Sequence, residues 1–180
     1  VMEARRWLDG VEFAADRPLI NVSQAAPVDP PPAPLRQAIA DTALNTVWRV
    51  ALDPMTGLPT GEPELHLSEK DLPLGGSFDG SVIDADGVLW NAAWGGGSVS
   101  GFAPDGSLVQ TFEVPAAQTS CPCFMGPDLD RMLVTSAWQG YSGASRAADP
   151  GAGYTFVIDG DFKGRPDAAF QLRHEIQHSE

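Results

Sequence analysis

The sequence predicts an all-β protein, an incomplete β-propeller of about two and a half four-stranded blades. Glycine and proline account for 19 and 16 of the 180 residues, a composition that favours many turns and few long helices. From Asn45 onward, short apolar runs alternate with clusters of Gly, Asp and Pro. The strand at Leu89-Trp90 has a counterpart at Leu133, about 44 residues later, within the repeat length of roughly 40–50 residues typical of propeller blades.

Residues 1–44 are predicted to form a separate segment, an extended arm followed by one short helix. The prolines at 30–32 fix φ and remove backbone donors, so the chain there is extended. Residues 33–44 place apolar side chains at helical spacing, and Pro34 suits a first helical turn. Such a segment cannot bury a core of its own.

The predicted partial propeller covers residues 45–172. A preceding half blade is indicated by two strands, 47–52 and 64–67. Each of the two complete blades has four strands, which we list in order: 81–84, 88–94, 98–102 and 108–114, then 123–124, 132–138, 153–160 and 168–172. A β-sandwich is the alternative, but the repetition of all four strands in the same order favours blades. Residues 173–180 are predicted to be a polar tail.

Charge and hydropathy exclude several classes of partner. The chain has 11 Lys+Arg against 24 Asp+Glu, a net charge of −13, which repels nucleic acid and anionic membrane surfaces. No apolar run approaches the roughly 20 residues of a membrane helix, and the first residues lack a signal-peptide pattern. We therefore expect a cytoplasmic protein in which Cys121 and Cys123 are reduced thiols, more in keeping with the core than with a metal site.

Most other polar and aromatic residues that stand out have a structural interpretation. Aspartates in turns cap their own backbone: Asp84, Asp86, Asp105, Asp128 and Asp130. The pair His174 and His178 is predicted to be solvated. Tryptophans are predicted to pack between blades: Trp48, Trp90, Trp94 and Trp138.

The order of these motifs resembles one family over residues 47–172. The matching stretches are Leu52-Asp53-Pro54-x-Thr56-Gly57, Phe78-Asp79-Gly80, Asp84-x-Asp86-Gly87-x-Leu89-Trp90, Trp94-Gly95-Gly96-Gly97, Pro104-Asp105-Gly106, Thr119-Ser120-Cys121 and Leu133-Val134-Thr135-Ser136-Ala137. They resemble the C-terminal half of the regucalcin (senescence marker protein)/gluconolactonase/luciferin-regenerating family. The resemblance implies a six-bladed parent that hydrolyses sugar lactones with a divalent metal (Ca²⁺, Zn²⁺, Mn²⁺ or Mg²⁺) in its central channel.

By that resemblance, Asp79 is the metal ligand and catalytic residue. On its pattern alone, Asp79 is better explained as an ordinary turn aspartate. Phe78 stands where the family usually has proline. The family's other ligands, a glutamate and an asparagine, belong upstream of Val47, where no matching segment is found. The resemblance thus predicts a sugar-lactone hydrolase in a truncated or chimeric copy; the alternative is a non-catalytic propeller fragment that self-associates or pairs with another propeller half.

Residues 17–44 have a different resemblance. Asn21-x-Ser23-Gln24-Ala25, followed by prolines, is similar to the N-terminus of class I/II pyridoxal-phosphate aminotransferases. The cofactor domain of that family, with its Schiff-base lysine, does not follow, so no pyridoxal phosphate is expected. The change of resemblance at Leu44–Asn45 is the basis for interpreting the chain as chimeric.

Overall fold

A computed structural model describes residues 36–53 and 58–166, all within one compact unit spanning 31–167. These residues are almost entirely β-structure, as predicted. The strands, numbered in chain order, are β1 Arg36–Asp41, β2 Thr46–Ala51, β3 Glu64–Ser68, β4 Ser77–Ile83, β5 Leu89–Trp94, β6 Ser98–Phe102, β7 Leu108–Glu113, β8 Thr119–Met125, β9 Arg131–Ser136 and β10 Thr155–Asp159. One helix, α1 (Gly143–Ala148), and a single 3₁₀ turn (Glu69–Asp71) complete the described elements.

The ten strands form three antiparallel sheets of consecutive strands. We call β1-β2-β3 the first sheet, β4-β5-β6-β7 the middle sheet and β8-β9-β10 the third sheet. A β-sandwich would instead divide the strands between two sheets. The strand predicted at residues 98–102 has the same bounds as the observed β6. The strand predicted to begin at residue 81 is longer, because β4 begins at Ser77.

The helix predicted over residues 33–44 is wrong where the structure describes that segment. Residues 36–41 form β1, which pairs with β2 from Arg36↔Ala51 to Asp41↔Thr46. The turn is closed by Asp41, whose Oδ1 accepts from the backbone N–H groups of Ala43 and Leu44, each at 3.0 Å. A short isolated helix is marginal, so a full hairpin ladder outweighs its weak propensity. The hairpin crosses the predicted boundary at 44/45 and gives the predicted half blade a third strand.

Helix α1 is an element that periodicity did not predict. It begins after Ser142, whose Oγ accepts a 3.1 Å hydrogen bond from the Ser145 N–H. Six residues are too few for an apolar stripe, and none of them is buried. The cap residue was therefore its one sequence signal.

The core lies on both faces of the middle sheet. Every residue of β6 and all but the last of β5 are buried. Towards the first sheet, Phe78 and Phe102 pack with Val47 and Leu67. Towards the third sheet, an aromatic cluster joins the elements, its members being Trp90, Phe112, Phe124 and Phe162. Both clusters fix the middle sheet between its two neighbours.

Several predictions fall outside the described residues. These are the arm at 1–35, the turn motif at 54–57, the fourth strand at 168–172, and the tail at 173–180 with His174 and His178. Within residues 36–53 and 58–166, no helix is long and apolar enough to cross a bilayer.

Candidate functional site

A cavity of about 590 Å³ lies where corresponding ends of the three sheets meet. Thr42 in the β1–β2 turn lines it from the first sheet, while Asp79 and Trp94 line it from the middle sheet. Gln118 precedes β8, and Gln139 and Gly140 follow β9. The start of one antiparallel strand lies beside the end of the next, so these distant residues share one rim.

Asp79 lies in a β-bulge. The β4–β5 register shifts between Phe78 and Ser81, leaving one extra residue on β4. The fully buried Asn91 side chain fills the bulge, because its Nδ2 donates to the Asp79 carbonyl at 2.9 Å and to Ser81 Oγ at 2.8 Å. A bulge of this kind changes the direction of a side chain, and here it places Asp79 at the cavity.

Gly80 allows β4 to approach β8. A Cβ at this position would lie 2.5 Å from the Ser120 carbonyl oxygen and 2.9 Å from the Cys121 Cα. Both obstacles are backbone atoms, which cannot rotate away. The glycine next to Asp79 is therefore required by the close packing of the middle and third sheets.

Asn45 connects the first sheet to the start of β4. Its Oδ1 accepts from the Phe78 N–H at 2.9 Å, and its Nδ2 donates to the Gly76 carbonyl at 2.9 Å. Asn45 has a φ of 52°, in the left-handed region that asparagine tolerates better than most residues. The hairpin turn thus helps to hold the backbone that carries Asp79.

The electrostatic setting of Asp79 differs from that of an exposed aspartate. Burial raises the pKa of the Asp79 carboxyl, and a hydrogen bond from the Gly80 backbone partly opposes this. Partial desolvation also raises the pKa of the Cys121 thiol, although the residue as a whole is exposed, with smaller contributions from Cys123 and Asp79. A carboxylate with a raised pKa is a better proton acceptor than an exposed one.

The described residues do not fit a complete metal site. Within 36–53 and 58–166, no three His, Cys, Asp or Glu side chains are close enough to hold an ion together. Asp84 is occupied elsewhere, since its Oδ2 accepts from Trp90 Nε1 at 2.9 Å and its Oδ1 accepts from the Asp86 and Val88 N–H groups. Ca²⁺ prefers six to eight oxygens, of which Asp79 can supply one or two.

The structure brings together some of the predicted residues and separates others. Asp79 lies in the cavity, and its predicted role as ligand and catalytic residue stays a prediction. Trp90 is buried as expected, whereas Trp94 borders the cavity and Trp138 is half exposed beneath the Arg146 guanidinium. Cys121 and Cys123 are free but exposed, so the prediction of core thiols is wrong.

Sequence reasoning missed Thr42, Gln118 and Gln139. These residues are uncharged and lie in turns or loops, where a single sequence gives no periodic signal. Only the pairing of the strands shows that the segments carrying them meet Asp79.

A family model described as the SMP-30/Gluconolactonase/LRE-like region matches residues 37–138. The match starts upstream of the predicted change at 44/45. Among curated proteins, the chain is 52% identical over 132 residues to a Rhizobium meliloti (strain 1021) protein named "Putative sugar lactone lactonase", covering 73% of this chain and 44% of that protein. It is 44% identical over 108 residues to the L-arabinolactonase of Azospirillum brasilense, covering 60% and 34%.

Solved structures give the same picture of the fold. The chain is similar to a calcium-binding protein, regucalcin, from Agrobacterium tumefaciens strain C58, with a TM-score of 0.71 and 42% identity over 76% of this chain and 46% of that one. A luciferin-regenerating enzyme shares the fold with a TM-score of 0.65. The chain spans less than half the length of these relatives and corresponds to their C-terminal part.

Proposed function

This chain belongs to the SMP-30/gluconolactonase/LRE-like family, and from that premise we propose that it carries the C-terminal part of a sugar-lactone hydrolase, with Asp79 as the reacting carboxylate. The three sheets are then three blades of a six-bladed propeller, and the cavity is part of its central channel. Lactonase names among the relatives support the substrate class.

The chemistry of the cavity is the observation that carries the proposal. Asp79 is the one charged residue among those lining it; the others offer a hydroxyl, the Gln139 amide, an indole and a glycine backbone, while the Gln118 amide is bonded to the Gln139 main chain. Neutral hydrogen-bonding groups beside an aromatic ring suit a polyhydroxylated, uncharged ligand. A single carboxylate with a raised pKa then provides one proton acceptor.

The reaction needs a water proton removed as its oxygen attacks the lactone carbonyl carbon. The Asp79 carboxylate accepts that proton. The ring C–O bond breaks in the resulting tetrahedral species, and the ring oxygen takes the proton back from the Asp79 carboxyl and leaves as the alcohol of a hydroxy acid, whose carboxylic acid then ionises. The product is anionic, so a site that carries a negative charge binds it less tightly than it binds the neutral substrate. This difference favours release of the product.

A divalent cation enters this proposal in a limited form. When bound, such an ion polarises the carbonyl and acidifies water. Asp79 would supply one ligand, and within 36–53 and 58–166 no group of three His, Cys, Asp or Glu side chains completes a site around it. The similar solved structure from Agrobacterium tumefaciens is named a calcium-binding protein, which supports a divalent cation at this site without identifying the ion.

Acid release from a panel of sugar lactones tests the proposal. We expect the full chain to hydrolyse at least one lactone, with stimulation by added Ca²⁺, Mn²⁺ or Zn²⁺, and Asp79→Asn to lower kcat at least about 100-fold, the usual contribution of a general base. Asp105→Asn, in an exposed Asp-Gly turn, is the matched control and should retain activity. A folded sample that hydrolyses no lactone with any of these ions contradicts the proposal, as does full activity of Asp79→Asn.

A second candidate function is a non-catalytic half propeller that associates with a second copy. The observation that favours it is apolar exposure on the two outer sheets, where Leu65 of β3 is 53% and Val157 of β10 is 46% exposed. Exposed apolar side chains on a sheet are a common basis of association.

A further inference from the structure

One wall of the cavity is held by a pair of glutamines, Gln118 and Gln139. Gln118 Nε2 donates to the Gln139 carbonyl at 2.9 Å, and the Gln139 N–H donates to Gln118 Oε1 at 2.7 Å. The Ala137 N–H also donates to the Gln118 carbonyl at 2.9 Å. Gln118 therefore holds the main chain after β9 at three points, two through its side-chain amide and one through its carbonyl, although no regular strand pairing reaches Gln139.

The side chain of Gln139 is used differently from its main chain. It is exposed, and its amide makes no hydrogen bond to any residue within 36–53 and 58–166, whereas its N–H and carbonyl are both taken by Gln118. Gln139 lines the same cavity as Asp79. A free amide on a fixed main chain offers one acceptor and two donors in a restricted region, without adding charge.

We propose that the Gln139 amide binds a ring hydroxyl of the lactone and is a specificity-determining residue, with Gln118 as the positioning residue that holds it. This assignment rests on the proposed function. With the lactone carbonyl carbon beside the water that Asp79 deprotonates, the hydroxyl-bearing part of the ring is left to contact the rest of the cavity wall. Gln139, Thr42 and Trp94 line it with uncharged polar groups that have no hydrogen bond to another described residue, and of these only the Gln139 amide offers both donors and an acceptor on a held main chain.

The proposal predicts discrimination between lactones that differ only in hydroxyl groups. A pentono-1,4-lactone and γ-butyrolactone share the five-membered ring, and only the first carries hydroxyls. Gln139→Leu should lower kcat/KM for the pentonolactone about 3- to 10-fold, the worth of one neutral hydrogen bond. The loss should appear in KM, because a contact made equally in ground and transition states does not change kcat. Turnover of γ-butyrolactone should stay unchanged.

Variants of Gln118 test the positioning role. Gln118→Leu removes both bonds to Gln139 and should cause the same selective loss for the pentonolactone. Gln118→Glu keeps an acceptor for the Gln139 N–H and should restore part of the preference. Gln110→Leu, an exposed glutamine on β7, is the matched control and should match the unmodified chain with both lactones.

The outcomes separate this inference from the function on which it rests. If the unmodified chain hydrolyses neither of these two lactones, the Gln139 assignment is overturned, and lactone hydrolysis falls with it only if every other lactone of the panel is also left intact. If it hydrolyses them and Gln139→Leu keeps the full preference for the pentonolactone, or slows both lactones equally, the Gln139 assignment is overturned while lactone hydrolysis stands. A KM increase limited to the hydroxylated lactone, in a variant whose melting temperature is unchanged, supports it.

Discussion

At the scale of single residues, Asp79 should reduce stability at neutral pH. Burial raises the pKa of the Asp79 carboxyl in the folded protein. Its contribution to the free energy of unfolding is therefore fully present below its pKa in the unfolded chain, and it is lost as pH rises through its pKa in the folded protein. Asp79→Asn, which cannot ionise, is expected to raise Tm at pH 7 by less than roughly 2–4 °C. A shift of that size corresponds to about 1 kcal/mol of unfolding free energy in a domain of this size. At pH 3 the two proteins should melt together.

Asp105 provides a control of opposite sign. Hydrogen bonds from the Ser107 hydroxyl and N–H lower the pKa of Asp105, so its contribution is present above the unfolded pKa and is lost as pH falls through the folded pKa. Asp105→Asn should therefore leave Tm unchanged or lower it slightly at pH 7. Thermal melts at both pH values measure the difference; a Tm of Asp79→Asn below that of the unmodified chain at pH 7 would contradict the burial effect.

The candidate site was predictable only where a residue belongs to a motif. Asp79 is followed by glycine in an Asp-Gly motif and could be selected from the sequence through the family resemblance. Gln139 has no such marker, because its place in the cavity depends on the hydrogen bonds to Gln118, 21 residues away in the chain. Contacts of this kind depend on strand pairing and leave no local periodicity.

At the scale of elements, the contact between β4 and β8 depends on Gly80. Gly80→Ala should destabilise the protein by about 1–3 kcal/mol, the typical cost of overpacking, because the new methyl group would meet the backbone of Ser120 and Cys121. Displacing β4 should also move the bulge that carries Asp79, so lactone turnover should fall together with stability. Urea unfolding measures the first effect.

Gly61→Ala is the matched control for Gly80→Ala. Gly61 is exposed, and a Cβ there would have no atom within 4 Å. Its expected change is within about 0.5 kcal/mol of zero, as for most surface substitutions. Equal stability of the two alanine variants would show that the middle and third sheets tolerate separation at this point.

Strand elements could be predicted because their apolar pattern and turn residues agree. At β5 and β6 a buried run is interrupted by Gly95-Gly96-Gly97, where Gly95 and Gly97 have φ of 82° and 59°. The sequence predicts a helix for the segment that forms β1, because its apolar side chains, mainly alanine and leucine, also fit a helical spacing. Pairing with β2 decided its structure, and that tertiary contact is invisible in local propensity.

At the scale of the whole molecule, the two outer sheets differ from the middle one. The two central strands of the middle sheet, β5 and β6, are buried, whereas β3 and β10 of the outer sheets retain the exposed apolar side chains Leu65 and Val157. On β10, Phe156 and Ile158 pack into the core, so Val157 between them lies on the opposite face, beside Leu133 of β9. In the relatives, about half of the length lies beyond the part that this chain matches.

We therefore expect the isolated chain to self-associate through its outer sheets. Sedimentation velocity should show a mass that rises with protein concentration, and the double variant Leu65→Lys, Val157→Lys should shift the distribution towards monomer, because a lysine in a desolvated contact loses its hydration. Val109→Lys on β7 is the control, since that valine is equally exposed, at 54%, but belongs to the middle sheet. A chain that stays monomeric at all concentrations contradicts this expectation, and an equal effect of Val109→Lys would locate the contact elsewhere.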